Sequence, residues 1–326
     1  MNDVNENNAN LYSMRCLIFG GGGFIGSAIA DRLLRDGHSV RIFERPRVDP
    51  FRIFKASEQV EWITGDFLST HDVGEAIAGM DVVLHLVSTT LPKSSNDDPI
   101  YDVQSNVVGT LQMLNAMVAQ SVRKIVFISS GGTIYGIPKY QPIDEQHPTD
   151  PLVSYGITKL TIEKYLHLFN LIHGIKTITL RVANPYGERQ RIETAQGAVG
   201  VFIHHALKNI PLEIWGDGST MRDYIHISDV AEAFVKAIGY SGPQSVFNIS
   251  SGYGTSLNEL ISTLEQVLGK SIERRYLPAR PFDVPVNVLC NHLAREELKW
   301  VPSISMRDGL SRTAEWIRGD LTRLAC

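Results

Sequence analysis

Short apolar runs rich in β-branched residues alternate with amphipathic stretches of helical period from Met14 to about Asn184. The runs that predict strands are RCLIFG, SVRIFER, VEWITGD, DVVLHLVS, RKIVFISS and KTITLRVAN. The stretches that predict helices between them include IGSAIADRLLRDG, VGEAIAG, NVVGTLQMLNAMVAQS and YGITKLTIEKYLHLFNLIHG. This alternation is typical of right-handed βαβ units, so it predicts an α/β fold with a doubly wound parallel sheet.

Beyond Asn184 the alternation loosens. Segments punctuated by glycine and proline surround two further helical patterns, SLNELISTLEQVLG and MRDGLSRTAEWIRG, and one apolar run, SVFNIS, that can return to the large sheet. A chain of 326 residues also exceeds the usual size of one domain. We therefore expect a disordered tail over 1–13, a large domain over 14–184, and mainly a smaller lobe over 185–326, with segments near 220–250 returning to the large domain.

Composition excludes several classes of function. With 43% hydrophobic residues, 20% charged residues and a net charge of -4, the chain reads as an ordinary soluble protein without affinity for nucleic acid or membrane. The leader MNDVNENNANLYS lacks the basic and apolar regions of a signal peptide. The three cysteines are widely spaced, which predicts neither disulfides nor a metal site and fits a reducing cytoplasm.

Three glycines follow the first predicted strand and open the first predicted helix. Gly20, Gly23 and Gly26 stand at G-x-x-G-x-x-G spacing in IFGGGGFIGSAIADRLL. Positions without Cβ let the turn tighten and let backbone N–H groups approach a pyrophosphate at the helix N-terminus. The stretch therefore predicts a dinucleotide site, and 14–184 is interpreted as a Rossmann-like, NAD-binding domain.

Glu44 ends the second predicted strand, eighteen residues after Gly26. A carboxylate here accepts hydrogen bonds from both ribose hydroxyls and repels a 2′-phosphate, so NAD is favoured over NADP. Arg45 and Arg47 would receive that phosphate in the NADP alternative. The purely structural alternative is a tight βα turn followed by a solvated glutamate.

Tyr155 and Lys159 in YGITK are four residues apart on a predicted helix and so share one face. A neighbouring ammonium favours the phenolate, so we expect Lys159 to lower the pKa of Tyr155 toward neutral pH and make it a general base. Taken alone, this spacing is more often an exposed helix pair. Its occurrence downstream of the glycine loop favours the catalytic interpretation.

These features occur together in a known order. The sequence resembles the extended short-chain dehydrogenase/reductase family, in its NAD-dependent epimerase/dehydratase branch, and is most similar there to the UDP-glucose 4-epimerases. The resemblance covers nearly everything after the tail and rests on GGGGFIGS, GDF, LHLVS, NVVGT, SSGGTIYG, YGITK, LRVANPYG, GDGSTMRDYIHISDVAEAF and ARPFDVP.

The resemblance implies a cofactor site along the carboxyl ends of the strands, where doubly wound sheets bind ligands. The three glycines, with Phe24 and Ile25, would hold the pyrophosphate, and Glu44 the ribose. Asp66 and Phe67 would contact the adenine, although Asp66 also fits a helix cap. Further expected contacts are Leu86, Val87, Ser88, Asn106 and Ser129, with Lys159 on the nicotinamide ribose and Tyr155 as the base.

The smaller lobe is expected, by the same resemblance, to bind the diphosphate of a nucleotide sugar, in the first instance a UDP-sugar. The corresponding residues are Asn184, Arg222, Arg280 and Asp283. Two guanidinium groups would supply local positive charge that the net-negative chain lacks; the alternative is surface salt bridges. Asn287 stands where hexose-restricted relatives commonly have a bulky tyrosine, which favours N-acetylhexosamine or uronic acid forms as additional substrates.

The implied reaction is epimerisation at C4 of the sugar by transient hydride removal to NAD. Dehydratases need an Asp-Glu pair where this chain has Gly132 and Thr133, which argues against dehydration. Reductase or decarboxylase chemistry stays open. A non-catalytic NAD-sensing protein is a further alternative, although a sensor needs neither Tyr155 nor Lys159. The resemblance also implies a homodimer formed through the two long helices that follow NVVGT and begin at YGITK.

The segment ISSGGTIYG departs from the family pattern. Aligned on its YG, the family's catalytic Ser or Thr corresponds to Gly131. Either Thr133 or Ser130 must then supply that hydroxyl, and the glycines give the backbone room for this. Thr133 is preferred over Ser130. Ser129 is expected to pack at the strand end.

Overall fold

The structure is a computed structural model that describes residues 13–324, except 49, 59, 93, 191–196 and 280–283, and does not describe the side chains of 321–324. Arg280 and Asp283 lie outside the described residues, as does the predicted tail except for Ser13. The strands are β1 Arg15–Phe19, β2 Ser39–Glu44, β3 Val60–Thr64, β4 Val82–His85, β5 Lys124–Ser130, β6 Lys176–Val182, β7 Asn184–Tyr186, β8 Leu212–Trp215, β9 Met221–His226, β10 Val246–Ile249, β11 Gly254–Ser256, β12 Arg274–Leu277 and β13 Val286–Asn287.

Helices separate most of these strands. They are α1 Phe24–Arg35, α2 Thr70–Ile77, α3 Pro99–Asp102, α4 Gly109–Ala119, α5 Ser154–His173, α6 Ala198–Leu207, α7 Ile227–Gly239, α8 Leu257–Leu268, α9 His292–Glu297 and α10 Met306–Leu324. A π-helical segment, Val103–Val108, joins α3 to α4. Helix α8 shows how local sequence sets its ends: Ser256 and Glu259 form a reciprocal capping box, and Gly269 ends the helix at a φ of 66°.

Seven strands form one parallel sheet in the order β10-β6-β5-β4-β1-β2-β3. Its central strands are buried on both faces, which explains why β1 and β4 are mainly continuous apolar runs rather than alternating ones. One core, with Ile29 and Phe234, lies between the sheet and α1 and α7, and the other, with Met113 and Leu166, lies under α2, α4 and α5. The predicted doubly wound α/β fold is confirmed.

The second part of the chain builds a lobe with two small sheets. Strand β9 pairs with β7, β11 and β13, and β8 pairs with β12. Helices α6, α8 and α10 pack around a third core that includes Phe202, Leu260 and Leu310. Within the segment predicted to return to the large domain, β10 pairs with β6 and α7 packs against α1, whereas β9 belongs to the lobe's sheet.

Candidate active site

The glycine loop between β1 and α1 is shaped by close backbone contacts. Gly20 has a φ of 86°, in the left-handed region that favours glycine, and Gly23 is the N-cap residue of α1. A Cβ on Gly26 would lie 2.3 Å from the carbonyl oxygen of Gly20 and 2.6 Å from the Cα of Gly21. The first turn of α1 therefore sits directly on the loop, and the resulting cradle fits the pyrophosphate of a dinucleotide.

Glu44 lies beside this loop at the end of β2. Its carboxylate accepts hydrogen bonds from the backbone N–H of Gly22, at 3.3 Å, and of Arg45, at 3.1 Å. The side chains of Arg45 and Arg47 are exposed. The fixed negative charge at the loop suits the two hydroxyls of an NAD ribose and opposes a 2′-phosphate.

Further residues predicted to contact the cofactor follow β4 and β3. A Cβ on Gly20 would lie 3.5 Å from the carbonyl carbon of Leu86 and 3.5 Å from the backbone nitrogen of Val87, so this segment adjoins the loop. Ser88 donates its hydroxyl hydrogen bond to the carbonyl oxygen of Thr90. Phe67 is buried, with its ring centroid 5.3 Å from that of His85, so its side chain belongs to the core.

Asp66 does not cap the following helix. The N-cap residue of α2 is Ser69, which accepts a hydrogen bond from the backbone N–H of Asp72. Asp66 is exposed, and its carboxylate instead accepts from the backbone N–H of Leu68. The helix-cap alternative from the sequence is therefore wrong, and the carboxylate stands at the sheet edge beyond β3.

The side chain of Asn106 is hydrogen-bonded within the protein and does not present a free group to the cofactor. Its side chain is buried, its Oδ1 accepts from the backbone N–H of Thr89, and its Nδ2 donates to the carboxylate of Asp102 at 2.9 Å. Both ends of the amide are thus bonded to the protein. Asn106 shapes the loop that follows Leu86 to Ser88, and Asp102 is a buried acid of the site that sequence reasoning missed.

Tyr155 and Lys159 lie on the first turns of α5. Lys159 is buried and donates to the carbonyl oxygen of Ile128, at 3.1 Å, on β5. Its Nζ lies 5.6 Å from the ring centroid of Tyr155, not on the phenol oxygen. Ser95, another residue that sequence reasoning missed, accepts a hydrogen bond from the backbone N–H of Tyr155.

The expectation that Lys159 lowers the pKa of Tyr155 is wrong for the protein alone. Burial raises the pKa of Tyr155 to about 12, and the negative charge of Asp102 adds to this effect. Burial also lowers the pKa of Lys159 to about 8, although Asp102 and Glu163 partly oppose that. Desolvation is thus the largest cause of the pKa shift of each group.

The end of β5 shows why a glycine replaces the expected hydroxyl residue. A Cβ on Gly131 would lie 2.3 Å from Cδ1 of Leu289, a fully buried side chain. Thr133 is close to α5, because a Cβ on Gly156 would lie 2.8 Å from its carbonyl oxygen. Among the described residues, the buried hydroxyls of Thr133 and Ser129 have no hydrogen-bond partner. Ser130 closes the strand and accepts backbone hydrogen bonds from the turn that follows.

A cavity of about 410 Å³ opens in the smaller lobe. Asn184 and Arg222 line it together with Glu213, Trp215 and Tyr224, which were not singled out from the sequence. Asn184 donates a hydrogen bond from Nδ2 to the carbonyl oxygen of Asp223. Its Oδ1 lies near the turn after β5, because a Cβ on Gly132 would be 4.0 Å from it. The cavity therefore adjoins the end of β5.

Arg222 and Asn287 are neighbours in the pairing of β9 with β13. Arg222 donates to the carbonyl oxygens of Met221 and Val284, which fixes its guanidinium at the cavity wall. Asn287 is 4% exposed, and its Oδ1 has no hydrogen-bond partner among the described residues. A buried acceptor of this kind favours a ligand that brings a hydroxyl or an amide N–H.

Neither a metal-binding cluster nor a membrane-spanning helix occurs in the described part of the chain. Its His, Cys, Asp and Glu residues form no group of three or more that could hold a metal ion. None of its helices is both long enough and apolar enough to cross a membrane.

Known proteins similar to this chain include several UDP-sugar 4-epimerases. The UDP-glucose 4-epimerase of Mycolicibacterium smegmatis is 35% identical over 310 residues, which cover 94% of this chain and 99% of that protein. The structure of the Thermotoga maritima UDP-glucose 4-epimerase with UDP-glucose matches with a TM-score of 0.88 and 32% identity, over 94% of this chain and 100% of that one. The Bacillus cereus UDP-glucuronic acid 4-epimerase, solved with UDP-glucuronic acid and NAD, has a TM-score of 0.84 at 28% identity, over 94% and 99% of the chains.

Residues 16–250 also match the model of the NAD dependent epimerase/dehydratase family. The matched segment contains the glycine loop, Glu44, the Tyr155 and Lys159 pair, and Asn184. The expected cofactor and the expected family are thereby confirmed. This chain belongs to the NAD dependent epimerase/dehydratase family.

Proposed function

We propose that this protein interconverts the C4 epimers of a UDP-sugar, with NAD as the resident cofactor. The observation that carries the proposal is that three parts lie at the carboxyl ends of the parallel strands. They are the glycine cradle, the Tyr155 and Lys159 pair, and the lobe cavity lined by Asn184 and Arg222. Relatives that match nearly the whole chain carry the same activity by name.

Tyr155 acts as the base that takes the proton of the C4 hydroxyl and later returns it. NAD, held by the glycine cradle and Glu44, would supply the redox chemistry as acceptor and donor of the C4 hydride. Because burial raises the pKa of Tyr155 to about 12, the phenol needs additional positive charge to work near neutral pH. Lys159 already lies beside the phenol, held against β5 by its bond to Ile128, so the additional charge has to come from elsewhere in the loaded site.

Thr133 supplies the hydroxyl that binds the reacting oxygen. Its Oγ1 is buried without a partner among the described residues, and its backbone touches the first turn of α5 beside Tyr155. Ser130 is the alternative donor. The hydroxyl of Ser129 lies deeper, 3% exposed as a residue, and fits packing at the strand end.

Asn184 and Arg222 bind the diphosphate, with Arg280 and Asp283 as further predicted contacts that lie outside the described residues. The unpaired Oδ1 of Asn287 supports sugars that place an amide N–H or a hydroxyl there. We therefore extend the substrate range to UDP-N-acetylhexosamine, and more weakly to UDP-uronic acids, whose carboxylate brings no donor. Gly132 and Thr133, in place of an acidic pair, support epimerisation over dehydration.

A homodimer is part of the proposal. Large apolar side chains are exposed along α5 and along the α3 and π-helical segment that packs against it, namely Ile100, Tyr101, Val103, Val108, Ile157, Leu168, Leu171 and Ile172. Burying such a surface between two copies would remove its contact with water. Sedimentation velocity of the protein and of Leu171→Asp tests this point. The widely spaced cysteines support a cytoplasmic location.

The deciding experiment incubates the purified protein with UDP-glucose, UDP-N-acetylglucosamine and UDP-glucuronic acid without added NAD, and identifies products by NMR. The C4 epimers are expected, and Tyr155→Phe should lose turnover while it retains NAD. Products that are dehydrated, decarboxylated or net reduced would replace the proposal with the related chemistry. If no sugar reacts with added NAD either, and Tyr155→Phe binds NAD unchanged, an NAD-sensing role is the better description.

A further inference from the structure

Asp102 is a fully buried carboxylate at the end of α3. Its Oδ1 accepts hydrogen bonds from the hydroxyl of Thr90, at 2.5 Å, and from Nδ2 of Asn106, at 2.9 Å. Its Oδ2 accepts from the hydroxyls of Ser154, at 2.6 Å, and Thr158, at 2.8 Å. The carboxylate thus joins three segments: the loop after β4, the π-helical segment and the start of α5.

Two of these donors are the sequence neighbours of Tyr155 and Lys159, the residues that carry the proposed chemistry. Ser154 immediately precedes Tyr155, and Thr158 immediately precedes Lys159. A movement of Asp102 would therefore move the first two turns of α5, which hold both groups. The same carboxylate holds Thr90, whose carbonyl oxygen accepts from Ser88 in the predicted cofactor segment.

The hydrogen bonds alone do not require a charge at this position. Three of the four donors are hydroxyls, which can accept as well as donate, so a neutral amide of the same shape could satisfy them. A buried carboxylate without a cation partner costs free energy that an amide avoids. Burial works to raise the pKa of Asp102, but the bonds from Ser154, Thr90, Thr158 and Asn106 outweigh it and hold the pKa below its usual range.

The other charged and titratable groups that pack around Tyr155 and Lys159 are either paired with an opposite charge or neutral. Glu163 on α5 forms an ion pair with Arg181 of β6 at 2.7 Å, with both side chains buried. Burial, with the charge of Lys159 as a second cause, lowers the pKa of His85 on β4 to about 3, so His85 is neutral. In the described part of the chain, no salt bridge reaches Asp102, and its negative charge acts on Tyr155 and Lys159.

We propose that Asp102 is a positioning residue whose charge, held by Ser154 and Thr158 beside the pair, sets the pH range in which Tyr155 and Lys159 work. The negative charge makes both groups hold their protons to higher pH. It keeps the Lys159 ammonium protonated near neutral pH, and it holds back the ionisation of Tyr155 until positive charge is added to the site.

The test compares Asp102→Asn with Asp98→Asn, a matched control. Asp98 lies four residues earlier, is exposed, and caps α3 through a bond that asparagine can also make. With saturating NAD and UDP-glucose, the pH profile of kcat for Asp102→Asn should move to lower pH on both limbs by about one unit, because the same negative charge is removed from both groups. Asp98→Asn should leave the profile in place.

An activity-free measurement separates this inference from the proposed function, on which the kcat readout rests. In protein with 13C-labelled lysine, the signal of Lys159, identified by its loss in Lys159→Met, should titrate about one pH unit lower in Asp102→Asn. If the wild-type protein epimerises no sugar, the proposed function fails, but this titration still decides the role of Asp102.

The inference is overturned if Asp102→Asn lowers kcat equally at every pH with the Lys159 midpoint unchanged, since Asp102 is then only structural. If Asp102→Asn does not fold, Thr158→Val takes its place, because it removes one bond and keeps the charge. Thr158→Val should lower kcat without moving either limb. A profile that moves with Thr158→Val would show that hydrogen bonding, not charge, sets the position of the limbs.

Discussion

Two loops of this protein carry glycines after parallel strands, and they do so for different reasons. In the loop after β1, Gly20 has a positive φ, and a side chain on Gly26 would collide with the backbone itself. In the loop after β5, Gly131 and Gly132 stay outside the left-handed region. There, the close contact of a Cβ on Gly131 is with a side chain, Leu289.

The difference separates a backbone-built half of the site from a half built from side chains. In the proposed function, the first would bind the pyrophosphate of NAD through backbone N–H groups and a helix end, so the geometry of its backbone decides which residues it can contain. The second would hold the proposed catalytic side chains through contacts between distant residues, so a change at one position can be compensated at another. Four experiments, in order of decreasing effect, test this contrast.

Gly26→Ala should have the largest effect. The added methyl would lie 2.3 Å from a backbone oxygen that cannot move without opening the loop, so we expect a loss of about 3 kcal/mol in the free energy of unfolding and loss of bound NAD. Urea unfolding and the NAD content of the purified protein measure the two effects. Gly74→Ala is the control, because Gly74 lies in α2 with no atom within 4 Å of an added Cβ. Equal stability of Gly26→Ala and Gly74→Ala would contradict the claim that the backbone around Gly26 excludes a side chain.

Thr133→Val should lower kcat by about 100-fold with little change in stability. The substitution keeps the shape of the side chain and removes a buried hydroxyl that makes no bond within the described protein. A hydroxyl bonded to the reacting oxygen contributes roughly this factor. Ser130→Ala is the comparison and should cost less. A larger loss for Ser130→Ala would transfer the role to Ser130.

Gly131→Ser should cost about 1 to 3 kcal/mol of unfolding free energy, because it pushes against Leu289. In a Leu289→Ala background the same serine should cost much less, since the obstructing Cδ1 is gone. Chemical unfolding of the four proteins in this cycle gives the coupling energy. Additive costs would mean that Leu289 does not decide the identity of residue 131.

Lys159 should give the smallest effect at any one step of pH, a gradual pH dependence of stability. Its folded pKa of about 8 is below its ordinary value of 10.5, so between these values the unfolded state binds the additional proton. Unfolding free energy then rises with pH, by up to about 1.4 kcal/mol per unit from this group, as the cost of a buried ammonium is relieved. The difference between wild type and Lys159→Met in urea unfolding at pH 7 to 10 should show this rise. The exposed Lys164→Met should follow wild type.

The backbone-built half was predictable because its signals are local. The strand, glycine spacing and helix over residues 15–35 lie in one stretch, and period and turn chemistry specify them together. The long helix with Tyr155 and Lys159 was predictable for the same reason. Glu44 also followed, since a carboxylate at the end of the second strand needs only the chain order to be placed.

The rest depends on contacts between distant parts of the sequence. Gly131 and Leu289 are 158 positions apart, and no local pattern pairs them. Asp102 precedes Asn106 by one helical turn, a spacing that could have drawn attention to it, but its bonds to Ser154 and Thr158 exist only after the fold forms. The pKa of Tyr155 was misjudged because the sequence showed the ammonium and not the burial.

Strand β10 has a consequence for how the chain can be divided. It covers the edge of β6, and α7, which immediately follows β9 of the lobe, covers one face of α1. A fragment that stopped near residue 184 would present the buried strand β6 as a bare edge with free N–H and C=O groups, a template for aggregation. We therefore expect that the first part of the protein does not fold on its own. Strands β7, β8 and β9 of the lobe precede β10 and the remaining lobe strands follow it, so the large sheet is completed only after most of the chain has been made.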